Sequence, residues 1–120
     1  MPEKNSINND LKEVNNLLRK NIIKEKTISN LYDYIFKKNG KQLRARLSLI
    51  SSSVDRRQGK KRYKLAAIIE LLHNATLVHD DVVDESPTRR GIKSVNNIWT
   101  NAHGVLIGDY IYSKAFMLMV

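Results

Sequence analysis

Residues 73–91, HNATLVHDDVVDESPTRRG, hold the pattern from which the rest of the chain is interpreted. Asp80, Asp81 and Asp84 end a long apolar segment with helical spacing. Because a helix turns once in about 3.6 residues, Asp80 and Asp84 share a face and Asp81 lies about 100° away. These carboxylates repel one another and lie near the negative end of the helix dipole. A local conflict of this kind indicates a functional site.

A hard divalent cation would relieve this repulsion. Mg²⁺ prefers oxygen ligands and is commonly held by one or two carboxylates together with substrate phosphate. Arg89 and Arg90 follow a Ser86-Pro87 break and could donate forked hydrogen bonds to the same phosphates. The sequence therefore predicts a metal-bridged phosphate site. The alternative is a solvated acidic helix end that pairs with the two arginines.

Several segments together resemble one enzyme family, the trans-type polyprenyl diphosphate synthases, which include the farnesyl and geranylgeranyl diphosphate synthases. HDDVVDESPTRRG resembles the first aspartate-rich motif of that family, and IIELLHNATLVHDD resembles the helix that leads into it. GKQLRAR at 40–46 is similar to the family's GKRIRP segment, and GVLIGDYIYSKAF resembles the helix after the aspartates. The resemblance runs from about residue 30 to Val120 and is closest to bacterial long-chain enzymes of the octaprenyl kind.

The resemblance implies a prenyltransferase that adds isopentenyl diphosphate to an allylic diphosphate such as farnesyl diphosphate. All three aspartates would be catalytic, with Mg²⁺ bound by Asp80 and Asp84 and supported by Asp81. Arg89 would meet the allylic diphosphate. The residues implied to contact isopentenyl diphosphate are Lys41, Arg44, His73 and Arg90.

Some of these residues have a simpler interpretation when taken alone. Basic residues near a helix start are usually solvated, and a histidine on an apolar helix is more often a core residue; the match to the family motif favours the binding role for His73. Two positions depart from the family pattern. Gln42 replaces a basic residue, which is expected to weaken substrate affinity, and Ala45 replaces a proline that would stiffen the start of the helix.

The resemblance also bears on product length. Ala75 and Thr76 lie five and four residues before Asp80, about 6–7.5 Å along the helix axis. Bulky aromatic residues there form a floor that stops chain growth early in this family. Both residues are small in this sequence, so the resemblance implies a long-chain, octaprenyl-like product of the kind used for quinone side chains, as in ubiquinone.

Composition limits the other classes of function. Lys plus Arg outnumber Asp plus Glu by 21 to 12, but these positive charges are scattered and no nucleic-acid motif is present, so nucleic-acid binding is not expected. The absence of cysteine excludes disulfides and thiolate metal sites. No signal peptide opens the chain and no apolar run reaches about 18 residues, so we expect a cytoplasmic protein without a membrane span.

Every strong period in the chain is helical, which predicts an all-α fold, a helix bundle of the isoprenoid synthase type. The fourth helix is expected to bury Leu65, Ile68, Ile69, Leu72 and Val78. The predicted helices are Asn9–Lys24, Thr27–Lys37 with Thr27 as N-cap, Leu47–Val54, Arg62–Val83, Val95–Asn101 with Ser94 as N-cap, and a last helix from about 102–104. Outside them, residues 1–8 should be frayed, 39–40 should break a helix and 55–62 should form a charged loop. The first helix either packs on a partner subunit, as in a homodimer, or is an ordinary surface helix.

The 120 residues are expected to form a single incomplete domain. The sequence stops inside the apolar run AFMLMV without a helix stop signal, and it contains no second aspartate-rich motif. We therefore expect the N-terminal part of a polyprenyl synthase, inactive on its own. The alternatives are a non-catalytic remnant or binding subunit, and a class I terpene cyclase. A cyclase shares the aspartate-rich helix but gives no reason for the GKxLR segment or the paired arginines.

Overall fold

The computed structural model describes residues 4–37, 41–52 and 59–120. The predicted break at 39–40 and the first half of the predicted loop, residues 55–58, lie outside the described residues. The all-α prediction is confirmed: helices dominate, and a two-stranded ribbon is the addition. The elements are α1 (Lys4–Arg19), α2 (Lys26–Phe36), α3 (Leu43–Ser52), α4 (Lys61–Val83), β1 (Thr88–Arg89), β2 (Ile92–Lys93), α5 (Val95–Ile98) and α6 (Asn101–Met119).

Helix α4 is the central element, and α1, α3 and α6 pack against it. Its 23 residues make it about 35 Å long. Helix α6 approaches it closely through two glycines. A Cβ added to Gly104 would lie 2.6 Å from Cγ2 of Val82, and one added to Gly108 would lie 2.2 Å from Nε2 of His79. These two positions therefore need glycine for the helices to meet as they do.

The start of α1 differs from the prediction. The helix begins at Lys4, five residues before the predicted start at Asn9, and it ends at Arg19, five residues before the predicted end at Lys24. The reason is that Ile7 is buried, which extends the apolar stripe by a turn towards the N-terminus. At the other end, Asn21 has a φ of 56°, a left-handed conformation that does not continue a helix.

The boundaries of the other helices agree with the prediction to different degrees. Helix α4 begins within one residue of its predicted start and ends at Val83 as predicted. The predicted N-cap of α2 is wrong, because Glu25 holds that position and its carboxylate accepts a hydrogen bond from the Ile28 N–H at 2.9 Å. Helix α3 begins at Leu43, four residues earlier than predicted, which places Arg44 in its first turn.

The buried face of α4 is also slightly different from the prediction. Val78 is buried, and the half-buried positions are Ile68, Ile69 and Leu72. Leu65, however, is 45% exposed, because the helix turns Ala66 and Ala67 into the core instead. Small residues at these positions let the neighbouring helices approach the α4 backbone closely.

The ribbon between α4 and α5 has no counterpart in the prediction. Its strands are antiparallel, with Thr88 opposite Lys93 and Arg89 opposite Ile92. Two residues per strand are too few to produce a recognisable alternation in the sequence. The two residues at the turn both have positive φ, as in a type I′ hairpin turn. In the described part of the chain, no helix combines the length and the apolar character needed to cross a bilayer.

Candidate functional site

The three aspartates at the end of α4 have different surroundings. Asp80 and Asp84 are exposed, whereas Asp81 is only 3% exposed. The first two lie one turn apart, about 6 Å along the helix axis. Among the residues that the structure describes, neither the Asp80 nor the Asp84 carboxylate has a hydrogen bond or ion pair. Their oxygens are therefore available to a ligand, while those of Asp81 are not.

Asp81 forms a two-point ion pair with Arg89. Nη2 of Arg89 donates to Oδ1 at 2.5 Å, and Nε donates to Oδ2 at 3.2 Å. The hydrogen bond to Asp81 raises the pKa of Arg89 most; burial lowers it, and the charges of Asp81, Asp80 and Asp84 add to the rise. The family resemblance implied a supporting role for Asp81 at the metal. The structure shows what it holds: the arginine predicted to meet the allylic diphosphate.

The backbone after α4 turns the chain back towards the helix. Ser86 N donates to Asp81 O at 2.9 Å and Glu85 N donates to Val82 O at 3.3 Å, which is the hydrogen-bond pattern of a Schellman motif. Glu85 has a φ of 54° at the position where glycine is usual. The sharp reversal brings β1 back alongside α4, so that Arg89 can reach Asp81.

Side chains from the following segment fix the base of the hairpin. Ser94 Oγ donates to Ser86 O at 2.6 Å, and Asn96 Nδ2 donates to the same carbonyl at 3.2 Å. Asn97 Nδ2 donates to Pro87 O at 3.0 Å. Ser94 is the N-cap residue of α5 as predicted, but its hydroxyl holds the loop rather than capping the helix. Neither Asn96 nor Asn97 was predicted to have this role.

Two of the residues predicted to bind isopentenyl diphosphate meet between α3 and α4. Nη1 of Arg44 lies 3.2 Å from Nε2 of His73. Because a guanidinium can only donate, the histidine accepts through Nε2. Burial, followed by the charges of Arg44, Arg90 and Arg89, lowers the pKa of His73. A neutral His73 lies beside cationic groups. An anion that binds there can therefore contact His73 without breaking an ion pair of the histidine.

A buried acid that the prediction missed lies within this cationic group. Glu70 is 4% exposed, and its Oε1 accepts a hydrogen bond from the Ala45 N–H at 3.3 Å. Burial raises the pKa of Glu70, against the opposing effects of the Ala45 hydrogen bond and the charges of Arg90 and Arg44. An acid inside the apolar stretch AIIELLH, one turn before His73, was the available signal.

Lys41 and Gln42, which also belong to the GKQLRAR segment, make other contacts than Arg44 does. Lys41 is exposed just before α3, and its carbonyl accepts a hydrogen bond from Nε of Arg46 at 2.8 Å. Gln42 donates to Oδ1 of Asn15 on α1 at 2.8 Å. At the position where the family has a basic residue, this chain therefore has a side chain tied to α1.

The two residues predicted to set product length occupy different environments. Ala75 is fully buried in the core, whereas Thr76 is exposed. Thr76 Oγ1 donates to Leu72 O at 2.9 Å and lies 2.9 Å from the hydroxyl of Tyr112 on α6. Since the only threonine hydroxyl proton is already used, Tyr112 donates to Thr76. Their role in product length stays a prediction.

The donor set fits a shared metal site rather than a closed one. Among the described residues, no group of three or more His, Cys, Asp or Glu side chains could hold a metal ion. Two exposed carboxylates on one helix face, Asp80 and Asp84, match what Mg²⁺ takes from a protein when waters and phosphate oxygens complete its shell.

Comparison with known proteins gives a consistent result. A family model described as Polyprenyl synthetase matches residues 25–120. The octaprenyl diphosphate synthase of Escherichia coli (strain K12) is 42% identical over 92 residues, which is 77% of this chain and 28% of that protein. The all-trans-nonaprenyl-diphosphate synthase (geranyl-diphosphate specific) of Rhodobacter capsulatus is 43% identical over 94 residues, or 78% of this chain and 29% of that protein.

Solved structures agree with the sequence relatives. A decaprenyl diphosphate synthase from Rhodobacter capsulatus superposes with a TM-score of 0.88 at 38% identity, covering 96% of this chain and 36% of that one. A polyprenyl synthase from Caulobacter crescentus CB15, complexed with calcium and isoprenyl diphosphate, superposes with a TM-score of 0.87 at 35% identity, covering 93% and 34%. The chain thus spans between 28% and 36% of the length of these four proteins.

Proposed function

Because the chain belongs to the polyprenyl synthetase family and has the isoprenoid synthase helix bundle predicted from its sequence, we propose that it forms the diphosphate-binding part of a trans-prenyltransferase. The reaction would add isopentenyl diphosphate to an allylic diphosphate such as farnesyl diphosphate. The observation that carries the proposal is the arrangement along α4. Two exposed carboxylates and the Asp81–Arg89 pair lie at its end, and the Arg44–His73 pair lies two turns earlier.

We assign the allylic diphosphate to the end of α4. Asp80 and Asp84 would hold Mg²⁺, which when bound would stabilise the negative charge that develops on the departing pyrophosphate. Arg89 uses two of its five N–H donors on Asp81, so the others are left for phosphate oxygens. The Caulobacter crescentus relative, whose structure contains calcium and isoprenyl diphosphate, supports a divalent-cation site of this kind.

We assign isopentenyl diphosphate to the group formed by Lys41, Arg44, His73 and Arg90. His73 precedes Asp80 by seven residues, about 10 Å along the axis, so the two diphosphates would lie at neighbouring positions on one helix. Holding both substrates this way would convert their encounter into an effectively intramolecular step. The allylic carbon–oxygen bond breaks, the isopentenyl double bond forms the new carbon–carbon bond, and loss of a proton restores a double bond.

We further propose a long-chain product for a quinone side chain, which the small side chains of Ala75 and Thr76 support. The octaprenyl and nonaprenyl products named for two relatives are of this class. A homodimeric assembly and a cytoplasmic location stay predictions.

A turnover assay tests the proposal. Radiolabelled isopentenyl diphosphate, farnesyl diphosphate and Mg²⁺ are incubated with the 120-residue chain, and in parallel with the product of the whole gene. We expect no polyprenyl product from the 120 residues alone, since they span 28% of an octaprenyl diphosphate synthase. Product from the whole gene product, lost in its D80A variant, would support the assignment. Unchanged turnover in D80A would refute the metal role. If the protein encoded by the whole gene makes no polyprenyl diphosphate, a non-catalytic binding protein is favoured.

A further inference from the structure

The acid inside the proposed isopentenyl diphosphate site needs an explanation. A buried carboxylate is unfavourable unless it is hydrogen-bonded or paired, and this one lies where an anionic substrate is proposed to bind. Negative charge at that place opposes anion binding. Glu70 is nevertheless buried on α4, one turn before His73, and the charges of Arg90 and Arg44 act on it. A benefit specific to its position must offset this cost.

The contact that Glu70 makes is with the first turn of α3. Ala45 is the third residue of that helix, and N–H groups in a first turn have no acceptor within their own helix. Glu70 Oε1 supplies the acceptor at 3.3 Å and places negative charge at the positive end of the α3 dipole. Ala45 directly follows Arg44 in the chain. The same hydrogen bond therefore fixes the backbone from which the Arg44 side chain extends.

Arg44 has its own contact on the same helix. Its guanidinium lies 3.2 Å from His73, three residues after Glu70 on α4. Glu70 and His73, one turn apart on α4, thus both contact the first turn of α3. Glu70 accepts from a backbone N–H of that turn, and His73 contacts a side chain of it. This double contact can set the direction of Arg44 more closely than the side-chain contact alone.

We propose that Glu70 is a positioning residue for Arg44: by accepting the Ala45 N–H it fixes the first turn of α3, so that the guanidinium lies beside His73 to receive a diphosphate. The choice of isopentenyl diphosphate as ligand rests on the proposed function. The contact between Glu70 and α3 does not depend on it.

Two substitutions of similar size separate the hydrogen bond from the charge. E70Q keeps an oxygen acceptor and removes the charge, whereas E70M removes both and leaves little cavity. Hydrogen exchange of the Ala45 amide is measured by NMR on the 120-residue chain. We expect exchange in E70M to be at least tenfold faster than in E70Q, with the wild type as slow as E70Q.

The second measurement is binding of isopentenyl diphosphate by calorimetry without metal. We expect E70M to bind at least fivefold more weakly than E70Q, because both have lost the charge and only E70M has lost the acceptor. A general loss of fold would change exchange throughout the chain, so circular dichroism at 222 nm accompanies each sample. Glu13, which is exposed on α1, gives the control, and E13Q and E13M should bind equally well.

Equal Ala45 exchange in E70Q and E70M, or equal affinity for isopentenyl diphosphate, would overturn the proposal. If E70M does not fold, the wild-type chain decides: the Ala45 amide proton shift should follow the ionisation of the Glu70 carboxyl, and a shift independent of pH would contradict the contact. A wild-type chain that binds no isopentenyl diphosphate while Ala45 stays protected counts against the proposed function, not against the contact.

Discussion

Burial divides the three aspartates into two roles. Asp81 is buried and uses both carboxylate oxygens on Arg89, whereas Asp80 and Asp84 are exposed and have no partner among the described residues. The paired arginine is then held in one orientation beside the two free carboxylates. Positive and negative groups in this arrangement suit a ligand that contains both a cation and an anion, such as a magnesium diphosphate.

This division predicts that stability and metal binding respond to different aspartates. D81N should lower the free energy of unfolding by about 2 kcal/mol, because it removes the negative charge and one of the two oxygens that accept hydrogen bonds from Arg89. D84N should change it by less than about 0.5 kcal/mol, as is usual for an exposed side chain without contacts. Urea unfolding of both variants measures the difference. Equal losses would show that burial does not separate their roles.

His73 gives a test that depends on pH. Its pKa in the folded chain should lie below 6.5, because burial and then the neighbouring arginine charges disfavour its protonated form. Adding inorganic pyrophosphate should raise that pKa, since the anion opposes the charges of Arg44 and Arg90. NMR titration of the imidazole signals measures both values. A pKa that does not respond to pyrophosphate would place the anion elsewhere.

The lowered pKa of His73 also determines how the stability of the fold changes with pH. A folded-state pKa below the unfolded value of 6.5 means that the contribution of His73 is present above pH 6.5 and is lost as the pH falls through the folded value. H73Q should therefore flatten the decrease in stability on acidification over that range. Identical pH profiles for the wild type and H73Q would contradict this expectation.

The end of α4 and the hairpin act together as one unit that presents the arginines. Glu85 and Arg90 both have a φ of 54°, a left-handed conformation that costs non-glycine residues about 1–2 kcal/mol. Such a conformation persists only where the surroundings impose it. Here the hydrogen bonds of Ser94, Asn96 and Asn97 to the chain after α4 impose it. Strain is thus concentrated at the two turns that bring Arg89 and Arg90 to α4.

Relief of this strain at Glu85 should be measurable. E85G should raise the free energy of unfolding by about 1 kcal/mol, because glycine adopts positive φ without a steric cost. E85A is the matched control, since it removes the same carboxylate and keeps the strained backbone. Urea unfolding should therefore find E85G more stable than E85A. Equal stabilities would mean that the left-handed turn is not strained.

For the molecule as a whole, the central position of α4 explains why one helix can present two groups of ligand-binding residues. Helices α1 and α3 pack on it together with α6, which reaches it through Gly104 and Gly108. Arg62 near the start of α4 is paired with Asp10 of α1 at 2.7 Å, which connects the helices at the other end. The scaffold is thereby fixed on several sides of the proposed site.

The sequence predicted what depends on residue spacing. The helical period located α4 to within one residue and placed Asp80 and Asp84 on one helix face, whereas the roles of Arg44 and His73 were implied by the family resemblance and stay predictions. It could not predict contacts that arise only from tertiary packing. The Asp81–Arg89 pair depends on a chain reversal at Glu85, which has a left-handed conformation. A glycine, the usual sequence signal for such a reversal, does not occupy that position. Glu70 was not predicted because its role depends on a tertiary contact: the start of α3 lies against it and donates a hydrogen bond to it.

The most direct measurement is the coupling between Mg²⁺ and inorganic pyrophosphate on this chain. Calorimetric titration with pyrophosphate should show at least fivefold higher affinity when Mg²⁺ is present. D80N and D84N should each abolish the gain, whereas D109N, which changes an exposed aspartate on α6, should retain it. Affinity for pyrophosphate that is independent of Mg²⁺, or a gain that survives in both D80N and D84N, would contradict a metal-bridged diphosphate at the end of α4.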